Sequence, residues 1–195
     1  MHLASPDSER IVRSMQRWLE VAVIGLNLCP FAKAVHVRGQ IRYAVSAATD
    51  RETLLQDLRT ELSTLSSADP EQIDTTLLIH PDALHDFYDY NDFLRLAQKA
   101  LRSLRLDGVI QIASFHPQYQ FADADSADVQ NYTNRAPFPA LHLLRECSVA
   151  RAVAAYPDAS AIYQRNIATM QRLGAAGWSA LGIEPLTDQC DAPEL

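Results

Sequence analysis

Segments with helical hydrophobic spacing alternate along this chain with short apolar runs typical of β-strands. The three runs are Ile41–Ala47, Thr75–Ile79 and Val109–Phe115, and apolar residues between them recur every three or four positions. Strands that alternate with helices need crossover connections, so at least part of the strand pairing is expected to be parallel. The pattern predicts an α/β fold, with a small three- or four-stranded, at least partly parallel sheet packed with helices.

The first helical segment is expected over about residues 8–27, although Val21–Leu28 alone also fits a strand. Val35–Arg38 could extend the first strand backward. Thr49–Glu52 has the spacing of a capping box, which predicts a helix start there. Further helices are expected from Asn91, over about 139–146 behind Pro139, and over about 159–173 ending at Gly174.

Length and charge exclude several classes of protein. The 195 residues favour a single domain over 1–195, with an ordered core at about 8–183 and polar, mobile ends. A formal charge of −7 without a basic stripe argues against nucleic acid. No signal peptide is recognisable, and no apolar run approaches the roughly 18–20 residues of a membrane span. A cytoplasmic protein that binds no membrane is therefore expected.

The cysteine pattern predicts free thiols. Cys29, Cys147 and Cys190 are odd in number and widely spaced, so neither a disulfide framework nor a zinc knuckle is expected. Cys29 opens the string Cys-Pro-Phe-Ala, which resembles a redox motif lacking its second cysteine. If Pro30 starts a short helix, the helix dipole would favour a Cys29 thiolate. The alternative is a buried structural thiol beside a turn.

Two of the expected strands end in a histidine followed by a proline, at His80 and His116. The carboxyl ends of parallel strands meet at one edge of a sheet, where ligand sites collect. Histidine there can act as an acid or base near neutral pH, or bind a metal. The alternative is that each His-Pro pair only ends its strand, because proline cannot donate a ladder hydrogen bond.

A long connection, from His116 to Pro137, follows the third strand. Connections of this length without regular structure are uncommon in compact domains and often functional. Arg135 could pair bidentately with an anionic substrate, helped by Asn134, and Tyr119 could supply a hydroxyl. The alternative for Arg135 is an ion pair within the connection, to Asp123, Asp125 or Asp128.

His142 and Glu146 are four residues apart in the segment expected to be helical, so they would share a helix face. Such a pair could ligate a metal, with His116 and His80 as further ligands, or simply form a surface pair. A divalent metal ion is accordingly the one cofactor that the residues suggest.

Several longer strings resemble an uncharacterised bacterial family, catalogued as domain of unknown function family 1415. They are Trp18-Leu19, Ile24–Ala32 (IGLNLCPFA), Ser114–Phe121 (SFHPQYQF), Tyr132–Pro139 (YTNRAPFP) and Leu141–Glu146 (LHLLRE). Together these strings cover most of residues 10–182. The resemblance implies a bacterial protein with a single full-length domain, and it brings no activity, cofactor or catalytic residue with it.

Three functional hypotheses follow. The first is a small-molecule enzyme acting on an anionic substrate, with His116, Tyr119, Asn134 and Arg135 in a site that is metal-assisted or acid–base. The second is a non-catalytic binding or interaction protein. The third is a thiol-redox protein centred on Cys29.

Overall fold

The computed structural model describes residues 6–155, 158 and 161–185. Most of the two ends predicted to be polar and mobile, together with Cys190, lies outside the described residues. The helices are α1 (Pro6–Trp18), α2 (Ala32–Val37), α3 (Arg51–Ser67), α4 (Phe87–Ser103), α5 (Glu146–Ala154) and α6 (Ile162–Ser179). A π-helix (Leu19–Ile24) continues α1, and a 3₁₀-helix (Val129–Asn134) lies in the long connection.

The described residues form four strands, β1 (Ile41–Val45), β2 (Thr75–Ile79), β3 (Ile110–Phe115) and β4 (Ala140–Arg145), in one sheet with the order β1-β2-β4-β3. The β1 and β2 strands are parallel, whereas β4 runs antiparallel to both of its neighbours. The predicted α/β fold with a small, partly parallel sheet is therefore confirmed. The carboxyl ends of β1, β2 and β3 all lie at the same edge.

The helix predicted over 139–146 is wrong, because this segment forms β4 at the centre of the sheet. Leu141 and Leu143 face one side of the sheet, and Ala140 belongs to the core on the other. A strand covered on both sides carries apolar residues without a clear alternation, so its sequence does not announce a strand. His142 and Glu146 consequently share no helix face, since Glu146 is the first residue of α5.

One face of the sheet is closed by α3 and α4. Four leucines of α3 are completely buried there, together with Tyr90 and Phe93 of α4. Each helix begins behind an aspartate whose carboxylate accepts two backbone N–H bonds, Asp50 for α3 and Asp86 for α4. The expected cap at Thr49 and the expected start at Asn91 are therefore corrected to these aspartates.

The other face is covered in part by α1, the π-helix and α6. The helix expected over 8–27 is confirmed as far as Ile24, as α1 and the π-helix that continues it, so the strand alternative for Val21–Leu28 is wrong. Val35–Arg38 is helical rather than an extension of β1. Gly174 (φ 66°, ψ 177°) is non-helical and ends the first part of α6 at the predicted position, and a second helical part follows it to Ser179. No helix in the described part of the chain is long and apolar enough to cross a membrane.

Candidate functional site

The two His-Pro histidines lie at one edge of the sheet, as predicted, but β4 separates their strands. Both side chains are completely buried, and the Tyr90 ring lies between them. The centroid of the Tyr90 ring is 5.7 Å from that of His80 and 5.0 Å from that of His116. The Tyr90 hydroxyl donates to the Ala140 carbonyl at 2.8 Å and so ties α4 to β4.

The hydrogen bonds of these histidines hold the loop that follows β2. His116 Nε2 donates to the Leu84 carbonyl at 3.1 Å, and His116 Nδ1 accepts from the Gln118 amide at 3.0 Å. His80 Nδ1 donates to the Ala83 carbonyl at 3.0 Å. Burial lowers the pKa of His80 to about 4 and also lowers the pKa of His116. Both rings are thus neutral near pH 7, and His116 has no nitrogen left for a ligand.

The Arg135 guanidinium is engaged by the long connection itself. Its Nε donates to the Tyr119 carbonyl at 3.3 Å and its Nη2 to the Ser126 carbonyl at 2.8 Å. The guanidinium carbon lies 4.5 Å from the centroid of the Tyr132 ring. Among the described residues it forms no ion pair with an aspartate, so the predicted internal ion pair is wrong. Asn134 Nδ2 similarly donates to a backbone carbonyl, that of Ser114.

The four predicted metal ligands do not come together. His80 and His116 are buried at the carboxyl edge, His142 lies in the middle of β4, and Glu146 begins α5. Within the described ranges, no group of three or more histidine, cysteine, aspartate or glutamate residues could hold a metal ion.

A large opening lies instead over the second face of the sheet, between α2 and α5. It is a groove of about 680 Å³. Its floor contains a row of three paired residues from neighbouring strands, Leu77, His142 and Ala113. The walls come from Trp18 and the π-helix at one end and from apolar residues of α2 and α5 along the sides. Most of the lining is apolar, which is typical of a site for a small molecule.

His142 is the polar residue in the middle of this floor. The Thr75 hydroxyl donates to the Leu143 carbonyl at 2.6 Å, so the hydroxyl oxygen accepts from His142 Nε2, which is also 2.6 Å away. This arrangement places the proton on Nε2 and leaves the Nδ1 lone pair unused by the described residues. Burial lowers the pKa of His142 to about 4, so the ring is a neutral hydrogen-bond acceptor near pH 7.

One end of the groove lies at the amino-terminal ends of the parallel strands and is called its mouth here. The mouth is more polar than the rest of the groove. Here Gln40 Nε2 donates to the Glu71 carbonyl at 3.0 Å, and the Ser148 hydroxyl donates to Asp74 at 2.6 Å. Arg38 donates to the Gln40 side chain at 2.6 Å. These pairs connect α2 and α5 to the start of β2 and give the groove one polar and one apolar end.

Cys29 lies at the apolar end of the groove, next to a second cavity of about 260 Å³. Burial raises the pKa of its thiol, and backbone hydrogen bonds from Phe31 and Ala32 offset this only in part. This direction is opposite to the stabilised thiolate that the sequence predicts. The helix begins at Ala32 rather than Pro30, so Cys29 lies two residues before its N-cap, Phe31, and not at the start of the helix.

Comparison with known families decides the relationship suggested by the sequence strings. The family described as "Protein of unknown function (DUF1415)" matches residues 10–180 of the chain. The chain belongs to DUF1415. No match was found among the curated proteins or among the solved structures.

The groove of this DUF1415 protein was not predicted from the sequence. Every second residue of a strand contributes to its floor, for instance Gln111, Ala113 and Phe115 on β3. This alternation points to the groove only if Ala140–Arg145 is a strand, because His142 then faces the same side of the sheet as Ala113. A histidine and a small alanine within otherwise apolar strands were the available indications.

Proposed function

We propose that this DUF1415 protein binds a small, largely apolar molecule in the groove over the second sheet face. The observation that carries the proposal is the groove itself, about 680 Å³ with mostly apolar walls and a single neutral imidazole in its floor. Small-molecule sites typically have about 300–1,000 Å³ and a few placed polar groups. His142 Nδ1 would accept a hydrogen bond from a hydroxyl or N–H group of the ligand.

Binding without catalysis has more support than the predicted acid–base or metal-assisted enzyme. None of the residues of that enzyme, His116, Tyr119, Asn134 and Arg135, lines the groove. The side chains of three of them, His116, Asn134 and Arg135, already donate to backbone carbonyls. A His142 with a pKa near 4 is a weak base at neutral pH. The raised thiol pKa of Cys29 gives the redox alternative little support.

Two alanines of α5 provide a matched test of this proposal. Ala152 lines the groove, whereas Ala154, two residues further along the same helix, does not. Both substitutions replace an alanine of the same helix with phenylalanine, but only Ala152→Phe fills the groove. The probe is anilinonaphthalene sulfonate, an aromatic dye whose fluorescence rises in apolar sites. Its dissociation constant should increase at least about tenfold in Ala152→Phe and stay near the wild-type value in Ala154→Phe.

Equal affinity of the dye for the wild type and for Ala152→Phe would overturn the proposal, because the dye would then bind elsewhere. A second variant, His142→Phe, tests the imidazole while preserving an aromatic ring in the floor. It should weaken probes that carry an N–H or hydroxyl donor more than matched hydrocarbons. The predicted cytoplasmic location and bacterial origin stay predictions beside this proposal.

A further inference from the structure

The groove borders a second cavity at its apolar end. Val23, Cys29 and Phe115 line both the groove and the inner cavity of about 260 Å³, so the two openings are neighbours across these three side chains. Of these three side chains, that of Cys29 alone carries a polar atom, and its thiol is only weakly polar. The boundary between the two spaces is therefore mostly apolar.

The inner cavity offers little to a polar group. Leu28, Phe121 and Ile167 contribute apolar surface to it. The polar side chains at its edge already have partners. Asn166 Nδ2 donates to the Leu28 carbonyl at 2.9 Å and Asn134 Nδ2 to a carbonyl of β3. Gln130 Nε2 donates to the Asp128 carboxylate, and the Thr133 hydroxyl donates to the Gln130 carbonyl. An apolar ligand segment would enter this cavity without leaving a buried polar group unpaired.

The mouth of the groove offers the opposite chemistry. The exposed side chains of Gln111 and Arg151 line it, and neither forms a side-chain hydrogen bond among the described residues. Along the site, polar groups that can bind a ligand thus lie at the mouth, His142 lies in the middle and apolar surface lies at the inner end.

We propose, resting on the function proposed above, that the natural ligand is a single-chain amphiphile. Its polar head lies at the mouth near Arg151, and its unbranched aliphatic chain runs over the floor past Cys29 into the inner cavity. A water molecule occupies about 30 Å³ in the liquid, so 260 Å³ accommodates several methylene groups. Each methylene buried there raises the affinity about fourfold.

Chain length is therefore the variable that tests the inference. Binding of n-alkanoic acids and n-alkanols from about six to about fourteen carbons is measured by calorimetry below their critical micelle concentrations. In the wild type, affinity should keep rising about fourfold per methylene as the chain enters the inner cavity. In Cys29→Phe, which blocks the boundary, affinity should stop rising at a shorter chain. Cys147→Phe, at an exposed cysteine outside both cavities, should retain the wild-type dependence.

Ile167→Trp provides a second variant in case Cys29→Phe does not fold, because Ile167 lines only the inner cavity. It should shorten the longest productive chain in the same way. A wild-type affinity that levels off at the same length as in both variants would overturn the inference. Retained dye binding in the groove without binding of any chain would also overturn it, while leaving the proposed function standing. If the wild type binds neither the dye in the groove nor any aliphatic chain, both proposals are refuted.

Discussion

Replacing His80 with asparagine should make the stability of this protein less sensitive to acid. The His80 ring is completely buried, its Nδ1 donates to the Ala83 carbonyl, and its Nε2 has no partner among the described residues. Burial lowers the pKa to about 4 in the folded protein, whereas an unfolded histidine has a pKa of about 6.5. Between these values the unfolded chain binds more protons than the folded chain. The stability contributed by neutral His80 is thus complete above about pH 6.5 and is lost as the pH falls towards 4.

The difference between the two pKa values sets the size of the effect. One pH unit corresponds to about 1.4 kcal/mol, so the full window from about 6.5 to about 4 corresponds to about 3 kcal/mol. By pH 5, about 2 kcal/mol of this should be lost. Asparagine is the suitable replacement because its side-chain N–H can take the place of Nδ1–H towards Ala83, yet it does not titrate.

Urea unfolding followed by circular dichroism at about pH 7, 6 and 5 measures this effect directly. The wild type should lose about 2 kcal/mol more than His80→Asn between about pH 7 and 5. His85→Asn, at an exposed histidine of the same loop, is the matched control and should follow the wild type. If His80→Asn and the wild type lose stability in parallel, burial of a neutral His80 is not a source of acid sensitivity.

Three further changes test individual contacts of the fold. In Gly25→Ala, the new Cβ would clash with the Val21 carbonyl oxygen, so thermal unfolding should show a loss of about 1–3 kcal/mol; an unchanged melting temperature would contradict the tight π-helical turn. Arg145→Met removes a buried guanidinium that donates to three backbone carbonyls between α3 and β2. It should cost at least about 3 kcal/mol in urea unfolding, against little change for the exposed Arg151→Met. For Cys29, alkylation by iodoacetamide in a variant whose other two cysteines are serine should show a midpoint above about pH 8.5, and a lower midpoint would restore the thiolate hypothesis.

Most of the fold was predictable from local patterns. The three apolar runs became β1, β2 and β3, and the leucine spacing of α3 correctly predicted a helix packed against the sheet. The fourth strand was missed because Pro139 before a continuous apolar segment fits a helix start as well as a strand start. Pairing with two neighbouring strands decided in favour of β4, and such long-range pairing is not encoded in a short segment.

The candidate site was less predictable, because the function of a side chain depends on what covers it. The edge shared by His80 and His116 was predicted correctly from the strand pattern. Their burial was not, because it depends on Tyr90, which belongs to a helix between the two strands in sequence. The same holds for Cys29, whose pKa is set mainly by burial rather than by its neighbours along the chain.

The lengths of the helices explain why the second face of the sheet is covered less completely than the first. A five-residue strand spans about 16 Å, and α3 and α4, with 17 residues each, extend well beyond it. On the other face, α2 has six residues and α5 has nine, which correspond to about 9 and 14 Å. Neither of these two described helices contributes a fully buried residue, so they flank the floor without covering it. Open apolar surface of this kind costs free energy in water, and a ligand that covers it would therefore also stabilise the fold.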